Sequence, residues 1–282
     1  MSHLKPNNMK KNINLFVVIL STCLLLACTS TAPTSTTHLQ IPSQIHSEIA
    51  ADFKQANTEG VLLFQKSNQT IITGNQLDRA NQSFIPASTF KILNALIALE
   101  HQKTNPNEIF KWDGRPRAYA HWQKDMTMVE AMQFSTVPVY QEIAKRIGSK
   151  LMQAELKRVH YGNQQMGSVI DRFWLDGPLE ITPRQSLNFI AKLSSNTLPF
   201  QPKVQQTVKE MLLIESHANF KLYGKTGWGT AQPYDVGWLV GWIETSKGEI
   251  IPYVLNMQMK DEMDPNIRKE LVLKAIQKLG IK

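Results

Sequence analysis

An apolar stretch headed by a serine and a lysine constrains this chain more than any other feature. Residues 92–99 are apolar almost all round, which is typical of a helix buried inside its protein. Pro86 suits the first turn of a helix, so we expect Ser88 near the helix start, where free N–H groups favour a developing negative charge. Lys91 follows Ser88 by three residues, which makes the two side chains neighbours on a helix. The stretch indicates covalent catalysis, although the spacing alone is unspecific, because residues 2–5 share it.

Strand patterns near both termini, with helical patterns between them, predict the fold class. Residues 108–193 are mostly helical in pattern, and strand-like runs lie before residue 73 and after residue 219. We therefore expect an α+β fold (α/β sandwich-like), with one antiparallel sheet from both termini, flanking helices and an inserted helical lobe. The expected strands are 60–64, 70–72, 220–223, 236–243 and 250–255. The expected terminal helices are 43–54 and 265–279, the second with Asp264 as N-cap and Pro265 at its first position.

The N-terminal segment predicts export and a lipid anchor. Three lysines precede residues 13–26, an apolar run shorter than the roughly twenty residues of a membrane-spanning helix, which indicates a secretory signal. The run ends Leu-Leu-Ala-Cys28, which resembles the lipobox of bacterial lipoproteins and implies cleavage before Cys28 and acylation of its thiol. An uncleaved anchor and ordinary cleavage after Ala32 are the alternatives. We expect a signal peptide at 1–27, a flexible Ser/Thr linker at 28–42 and the folded domain at 43–282, lipid-anchored in the periplasm.

Composition argues against several classes of function. Without residues 1–27 the chain keeps 28 basic and 23 acidic residues, which are spread along the sequence, so we expect no nucleic acid partner. Both cysteines, Cys23 and Cys28, lie in the N-terminal segment, which leaves the folded part without a disulfide or a thiol nucleophile. The histidines lack metal-ligand spacing, and no G-x-S-x-G motif is present. We therefore expect neither a metal nor an organic cofactor, and no Ser-His-Asp triad.

Three further motifs each fit a site, and each has a simpler interpretation. Residues 225–227 read Lys-Thr-Gly in a strand-like run, and the glycines on both sides would let a substrate approach the strand edge. The simpler interpretation is a hairpin end with an exposed lysine. Ser135 precedes Pro138 in a loop and offers another hydroxyl. Residues 161–163 read Tyr-Gly-Asn, which alone indicates only a turn.

Taken in order, the motifs resemble those of the serine β-lactamases. Ser-x-x-Lys at 88–91, Ser-x-Val at 135–137, Tyr-Gly-Asn at 161–163 and Lys-Thr-Gly at 225–227 occur in one chain. With Ser-Thr-Val in place of Ser-Asp-Asn, and Phe-Trp-Leu at 173–175, the chain resembles class D, the oxacillinase type. The resemblance is close to the carbapenem-hydrolysing enzymes of the Acinetobacter kind. It covers residues 43–282 and implies the fold shared by serine β-lactamases and penicillin-binding transpeptidases.

The resemblance gives Ser88 and Lys91 the central roles. Ser88 would attack the β-lactam carbonyl and form an acyl-enzyme. A lysine in water has a pKa of about 10.4 and is a poor base, but burial beside Val137, Trp174 and Leu175 would favour the neutral amine. In class D enzymes this amine takes up carbon dioxide as a carbamate (N6-carboxylysine), which the tryptophan matching Trp174 holds and which acts as general base. The alternative is a buried lysine paired with a carboxylate.

The resemblance also implies a proton relay, an oxyanion hole and a binding site for the substrate carboxylate. Ser135 and Lys225 would pass a proton to the departing ring nitrogen. The backbone N–H groups of Ser88 and Trp228 would form the oxyanion hole. The substrate-binding residues implied are Thr226, Gly227, Arg268 and Tyr119.

Two of these residues bear on which substrates are accepted. Arg268 falls in the first turn of the expected last helix, where the helix dipole disfavours a cation, which favours a binding role. Lys269 follows it directly, so two solvated basic residues are the alternative. Tyr119 lies where carbapenem-hydrolysing relatives keep an aromatic residue that bridges over the site to a methionine, whereas the partner position here is Thr230. The resemblance therefore implies hydrolysis of penicillins and resistance to β-lactams, and it leaves hydrolysis of carbapenems open.

Two other functions share the same acylation chemistry. A penicillin-binding peptidase acts on peptidoglycan and deacylates slowly, and a β-lactam sensor binds covalently without turnover. The Trp174 environment favours the lactamase over the peptidase, and sensors usually hang from several membrane spans. We expect β-lactam small molecules as partners, contact with a membrane only through the lipid anchor, and a monomer or a homodimer.

Overall fold

The computed structural model describes residues 37–67, 69–230 and 234–281. Its helices are α1 (Ser43–Gln55), α2 (Lys91–Glu100), α3 (Met128–Gln133), α4 (Val137–Ile147), α5 (Ser149–Arg158), α6 (Pro183–Ser194), α7 (Pro202–Glu210) and α8 (Ile267–Lys278). Its strands are β1 (Thr37–His38), β2 (Gly60–Lys66), β3 (Gln69–Gly74), β4 (Ile109–Phe110), β5 (Met126–Thr127), β6 (Leu213–Ser216), β7 (Phe220–Gly229), β8 (Asp235–Thr245) and β9 (Ile250–Met259). Short 3₁₀ segments cover Leu77–Asn81, Ala87–Phe90 and Ala120–Trp122.

One seven-stranded sheet joins the two ends of the described chain. Its order is β1-β3-β2-β9-β8-β7-β6. Strand β2 pairs with β9, with Gly60 opposite Met257, so early and late segments meet in the middle of the sheet. The pairs are antiparallel, except that β1 runs parallel to β3. The predicted α+β fold with a sheet from both termini is confirmed, with β1 as the departure from an antiparallel arrangement.

Hydrophobic cores lie on both faces of the sheet, because side chains alternate between the faces along each strand. Trp238 and Trp242 of β8 face the helical lobe, whereas Leu239 and Ile243 face α1 and α8. Helix α2 runs through the lobe, with eight of its ten residues buried. The predicted buried helix after Ser88 is therefore confirmed, and the core holds its first turn in place.

The N-terminal boundary of the folded part differs from the prediction. Strand β1 pairs with β3, and the Leu39 N–H donates to the carbonyl of Thr70 at 3.1 Å, so residues 37–39 of the expected linker are bound to the sheet. The predicted signal peptide at 1–27, the modified Cys28 and the linker up to residue 36 lie outside the described residues. Among the described residues, no helix is both long and apolar enough to cross a membrane.

The last helix begins two residues later than predicted. Asp264 Oδ1 accepts a hydrogen bond from the backbone N–H of Asn266 at 2.8 Å, and α8 starts at Ile267. Asp264 and Pro265 therefore form a turn before the helix rather than its cap and first residue. Because an aspartate can close a turn with the N–H two residues on, the sequence pattern did not distinguish the two structures.

Candidate active site

Ser88 lies in the 3₁₀ turn Ala87–Phe90, which leads directly into α2. Lys91 Nζ is 2.7 Å from Ser88 Oγ, within hydrogen-bonding distance. Ala87 has a φ of 49°, in the left-handed region that alanine rarely adopts, and its N–H donates to the carbonyl of Trp174 at 3.0 Å. The expected proximity of Ser88 and Lys91 is confirmed, and the turn is fixed against the loop that carries Trp174.

Lys91 is fully buried, and its amine loses its proton more easily than a lysine in water does. Burial lowers the pKa of its amine from 10.5 to about 7. Within the described residues no carboxylate forms an ion pair with it, and its Nζ lies 5.7 Å from the centroid of the Tyr140 ring. Burial also raises the pKa of Tyr140, so that ring stays uncharged. A lysine paired with a carboxylate, the alternative from the sequence, is therefore contradicted.

Trp174 packs on the turn that carries Ser88 and leaves one polar atom unsatisfied. Its ring stacks on Phe90, with centroids 5.3 Å apart, and meets Phe173 edge-on at 5.0 Å. Its Nε1–H is buried without a hydrogen-bond partner among the described residues. A buried donor without an acceptor is costly, so this group requires an explanation. Val137, the first residue of α4, and Leu175 are half-buried.

Lys225 and Ser135 form a second lysine–serine pair. Lys225 Nζ lies 2.8 Å from Ser135 Oγ and donates to the carbonyl of Thr226 at 2.9 Å. Burial lowers the pKa of Lys225 well below 10.5, and the positive charges of Lys91 and Arg268 lower it further. Ser135 has a φ of 54° between α3 and α4. A hairpin end with an exposed lysine, the simpler interpretation of this motif, is therefore contradicted.

Strand β7 presents an open edge next to the Ser88 turn. Strand β6 pairs only with the first part of β7, and beyond it the Gly224 N–H donates outward to the carbonyl of Leu212 at 2.7 Å. Because backbone groups alternate sides along a strand, the N–H of Trp228, four residues on, faces the same edge. A Cβ on Gly227 would lie 3.2 Å from the carbonyl of Pro86, so the strand lies directly against the segment that carries Ser88.

A positively charged cleft of about 730 Å³ lies between β7, α8 and the loop before α4. Arg268 is only 6% exposed, and its Nη1 donates to the carbonyl of Gly227 at 2.6 Å. Burial lowers the pKa of Arg268 to about 10, which still leaves it cationic at neutral pH. The cleft therefore suits an anionic substrate. Its polar lining includes Ser135, Lys225, Thr226, Arg268 and Lys269.

Tyr119 lies on the exposed rim near the Arg268 end of the cleft. Its side chain is close enough to Arg268 to affect the pKa of that guanidinium, and its ring packs on Trp122 and His121, with centroids 4.8 and 5.4 Å away. Thr230 follows the end of β7 and is exposed. Sequence reasoning missed the aromatic and apolar walls, because no motif marks them. These walls are His121, Phe134, Met211 and Leu213.

The Tyr-Gly-Asn motif supports the loop that carries Trp174. Gly162 has a φ of 54°, and a Cβ there would lie 2.0 Å from the carbonyl oxygen of Glu180. The Asn163 N–H donates to the same carbonyl at 2.9 Å, and Asn163 Nδ2 donates to the carbonyl of Pro178 at 2.8 Å. Sequence reasoning took this motif as a turn and missed its partners, which lie more than ten residues along the chain.

Comparisons with known proteins agree with this architecture. The family profile described as the penicillin binding protein transpeptidase domain matches residues 51–277. The chain is 38% identical over 234 residues to β-lactamase OXA-10 of Pseudomonas aeruginosa, covering 82% of this chain and 88% of that one. It is 36% identical over 227 residues to β-lactamase OXA-48 of Klebsiella pneumoniae, covering 80% of this chain and 85% of that one.

Solved structures of similar proteins extend the likeness to three dimensions. The class D β-lactamase YbXI from Nostoc superposes with a TM-score of 0.79 at 35% identity, over 83% of this chain and 99% of that one. FUS-1 (OXA-85), a class D β-lactamase from Fusobacterium nucleatum, gives the same TM-score and identity over 84% and 99%. Sequence and structure thus agree over most of the described fold, and the chain belongs to the class D β-lactamases, hydrolases built on the penicillin-binding transpeptidase fold.

Proposed function

We propose that this enzyme opens β-lactams through an ester on Ser88, with Lys91 providing the base. The observation that carries the proposal is the 2.7 Å approach of Ser88 Oγ to a buried lysine whose pKa is lowered to about 7. A neutral amine at this distance accepts the serine proton, which an ammonium group does not. No histidine is needed in this scheme.

We further propose that Lys91 takes up carbon dioxide. Two observations support the fit: the amine is neutralised by burial alone, and the Trp174 Nε1–H has no acceptor among the described residues. A carbamate on Lys91 would supply an anionic base that acts in both acylation and deacylation. Trp174 would hold it by donating its indole N–H, and the stacked Phe90 would keep water away. A buried N–H without an acceptor is costly, and the same N–H becomes a specific donor once the carbamate on Lys91 is present.

We assign the protonation of the leaving nitrogen to the second lysine–serine pair. Lys225 is 2.8 Å from Ser135, and burial, together with the positive charge of Arg268, lowers its pKa and makes it a better proton donor. The proton would pass from Lys225 through Ser135 to the ring nitrogen as the amide bond breaks. Removing either residue should slow acylation about 100-fold, the lower end of what a positioned acid contributes.

Backbone and cationic groups along β7 would bind the rest of the substrate. The N–H groups of Ser88 and Trp228 would donate to the carbonyl oxygen as it becomes negative. The carboxylate that β-lactams carry would bind Thr226 and the buried Arg268, next to Gly227, and Tyr119 would cover the rim at that end. Because Thr230 lacks a side chain long enough to bridge the site to Tyr119, we expect higher kcat/KM for penicillins than for carbapenems.

Steady-state hydrolysis of a chromogenic cephalosporin tests the reaction. We expect continuous turnover that falls in carbon-dioxide-free buffer and returns with bicarbonate. A single stoichiometric burst would instead indicate a penicillin-binding peptidase or a sensor. Lys91→Ala should still be labelled slowly at Ser88 but should not deacylate, and deacylation at the wild-type rate would refute the base assignment.

We also propose that the protein is exported and held at a periplasmic membrane surface by acylated Cys28. The support is the sequence alone, Leu-Leu-Ala-Cys28 after a basic and apolar leader. Cys28→Ser should move the protein from the membrane to the soluble fraction, with Cys23→Ser as the matched control. Unchanged fractionation of Cys28→Ser would reject lipidation without affecting the catalytic proposal.

A further inference from the structure

The side chain of Trp228 is held from two directions on the face of the sheet opposite the helical lobe. Its indole Nε1 donates to Asp235 Oδ2 at 2.7 Å, a short charge-assisted hydrogen bond. The guanidinium carbon of Arg268 lies 5.7 Å from its ring centroid, within cation–π range. Trp228 therefore connects the start of β8 to the buried cation of the cleft.

The register of the sheet explains why Asp235 reaches this indole. Trp228 lies opposite Gly237 in the β7–β8 ladder, and Asp235 precedes Gly237 by two residues, at the diagonal position of the same face. Gly237 has no side chain, and Met259 closes the space above it, since a Cβ there would meet Met259 Sδ at 2.6 Å. The indole therefore extends along the diagonal toward Asp235.

The bond secures the last paired residues of β7. The ladder ends at Gly229 opposite Val236, one residue beyond Trp228, so the backbone of Trp228 has little further pairing to hold it. Asp235 itself is held in the sheet, opposite Met259 of β9. A hydrogen bond that the end of β7 donates to the first residue of β8, which also pairs with β9, restricts how far that end can twist or shift.

We propose that Asp235 is a positioning residue for catalysis, which acts by fixing Trp228 and with it the Trp228 N–H at the open edge of β7. This inference rests on the proposed function, in which that N–H donates to the oxyanion. Asp235 acts through the indole of Trp228, to which it is hydrogen-bonded at 2.7 Å. It does not itself touch the substrate.

A double-mutant cycle on acylation tests this path. Asp235→Ala and Trp228→Phe should each lower the second-order rate of Ser88 acylation by a penicillin about tenfold, as expected when a donor is misplaced by a fraction of an ångström. If both act through one bond, the double variant should also be slowed about tenfold rather than about 100-fold. Asp235→Asn keeps an acceptor oxygen and should stay within about twofold of wild type.

Controls separate positioning from stability and from charge. Asp261→Ala removes an exposed acid two residues beyond Met259, the residue opposite Asp235 in the sheet, and should leave acylation unchanged. Thermal unfolding of each variant shows whether it is folded at the assay temperature, and Trp228→Phe removes the bond even where Asp235→Ala does not fold. Wild-type acylation by either folded single variant, or multiplied effects in the double variant, would overturn the proposal. A wild-type enzyme that is not acylated at all would instead overturn the proposed function.

Discussion

Replacing the central lysine by a residue of similar shape should make the protein more stable. Lys91 is fully buried, within the described residues it has no ionic partner, and its pKa falls from 10.5 to about 7 through burial alone. That difference of about 3.5 pKa units corresponds to about 5 kcal/mol of penalty for the charged amine. Lys91→Met removes the charge and keeps most of the volume, so it should abolish β-lactam turnover and raise the free energy of unfolding.

The sign and pH window follow from proton linkage. Between pH 7 and pH 10.5 the unfolded chain binds a proton at Lys91 that the folded protein does not, so wild-type stability rises with pH across this range. At pH 6 both states are protonated and the folded protein bears nearly the whole penalty. Lys91→Met should therefore exceed wild type by about 5 kcal/mol at pH 6 and by only about 1 kcal/mol at pH 9.5. Water penetration and local relaxation make the first figure an upper bound.

Urea unfolding of wild type and Lys91→Met in carbon-dioxide-free buffer measures this difference. The two proteins should differ most at pH 6 and converge as the pH approaches 10. Removing Lys91 also relieves its repulsion of Lys225, which adds stability of the same sign. Lys221→Met, at an exposed position of β7, is the control and should change stability by less than about 0.5 kcal/mol at every pH. A Lys91→Met protein that is no more stable than wild type at pH 6 would refute the argument that burial alone neutralises this amine.

Three further predictions concern single side chains. Trp174→Phe should raise the bicarbonate concentration needed for half-maximal activity about 10- to 100-fold, since a hydrogen bond to a charged group is worth about 1.5–3 kcal/mol. Trp242→Phe changes a buried ring on β8 and should leave that concentration unchanged. An unchanged bicarbonate titration for Trp174→Phe would disprove the donor role. Arg268→Ala should raise KM for penicillins about tenfold or more with a smaller change in kcat, as measured by initial rates. A tenfold fall in kcat at constant KM would contradict the assignment of Arg268 as the anchor of the substrate carboxylate. Gly162→Ala should lower the unfolding temperature by several degrees more than Gly114→Ala, because both glycines have positive φ but only at Gly162 would the new Cβ collide with a carbonyl oxygen. Equal shifts of the unfolding temperature in calorimetry would mean that this collision does not determine the loss of stability.

Features carried by neighbouring residues were predictable from the sequence. The three-residue spacing of Ser88 and Lys91 and the apolar helix behind them depend only on helix geometry, and the structure confirms both. The Lys-Thr-Gly motif was expected in a strand, and β7 contains it. The burial of Lys91 followed from the residues around it. The sequence did not show that, within the described residues, no carboxylate forms an ion pair with Lys91. That depends on which distant segments the fold brings next to the amine.

Features that depend on contacts between segments far apart in the sequence were not predictable. The clash that keeps Gly162 a glycine comes from the carbonyl of Glu180, and the acceptor of the Trp228 indole lies across a hairpin on Asp235. Each pair looks ordinary in the sequence, since a glycine in a turn and an aspartate at a strand start have many local explanations. The start of α8 was misplaced for the same reason, because Asp264 can form a turn or a cap with the same side chain.

Several unfavourable features of the described structure lie around Ser88, and their proximity to one another is itself an argument for function. Lys91 and Lys225 are buried and disfavour each other's charge, Trp174 buries a donor without an acceptor, and Ala87 and Ser135 hold left-handed backbone that costs about 1–2 kcal/mol each. A role in folding does not explain the two lysines, because an apolar replacement of either would remove a penalty and leave the surrounding core intact. The two cores and the seven-stranded sheet supply the stability that tolerates this strain. On the proposed mechanism each penalty has a use. Burial makes Lys91 a neutral base and makes Lys225 an acid that releases its proton, and the indole N–H of Trp174 can donate to the carbamate. Substitutions that stabilise this protein most should therefore be found among those that inactivate it.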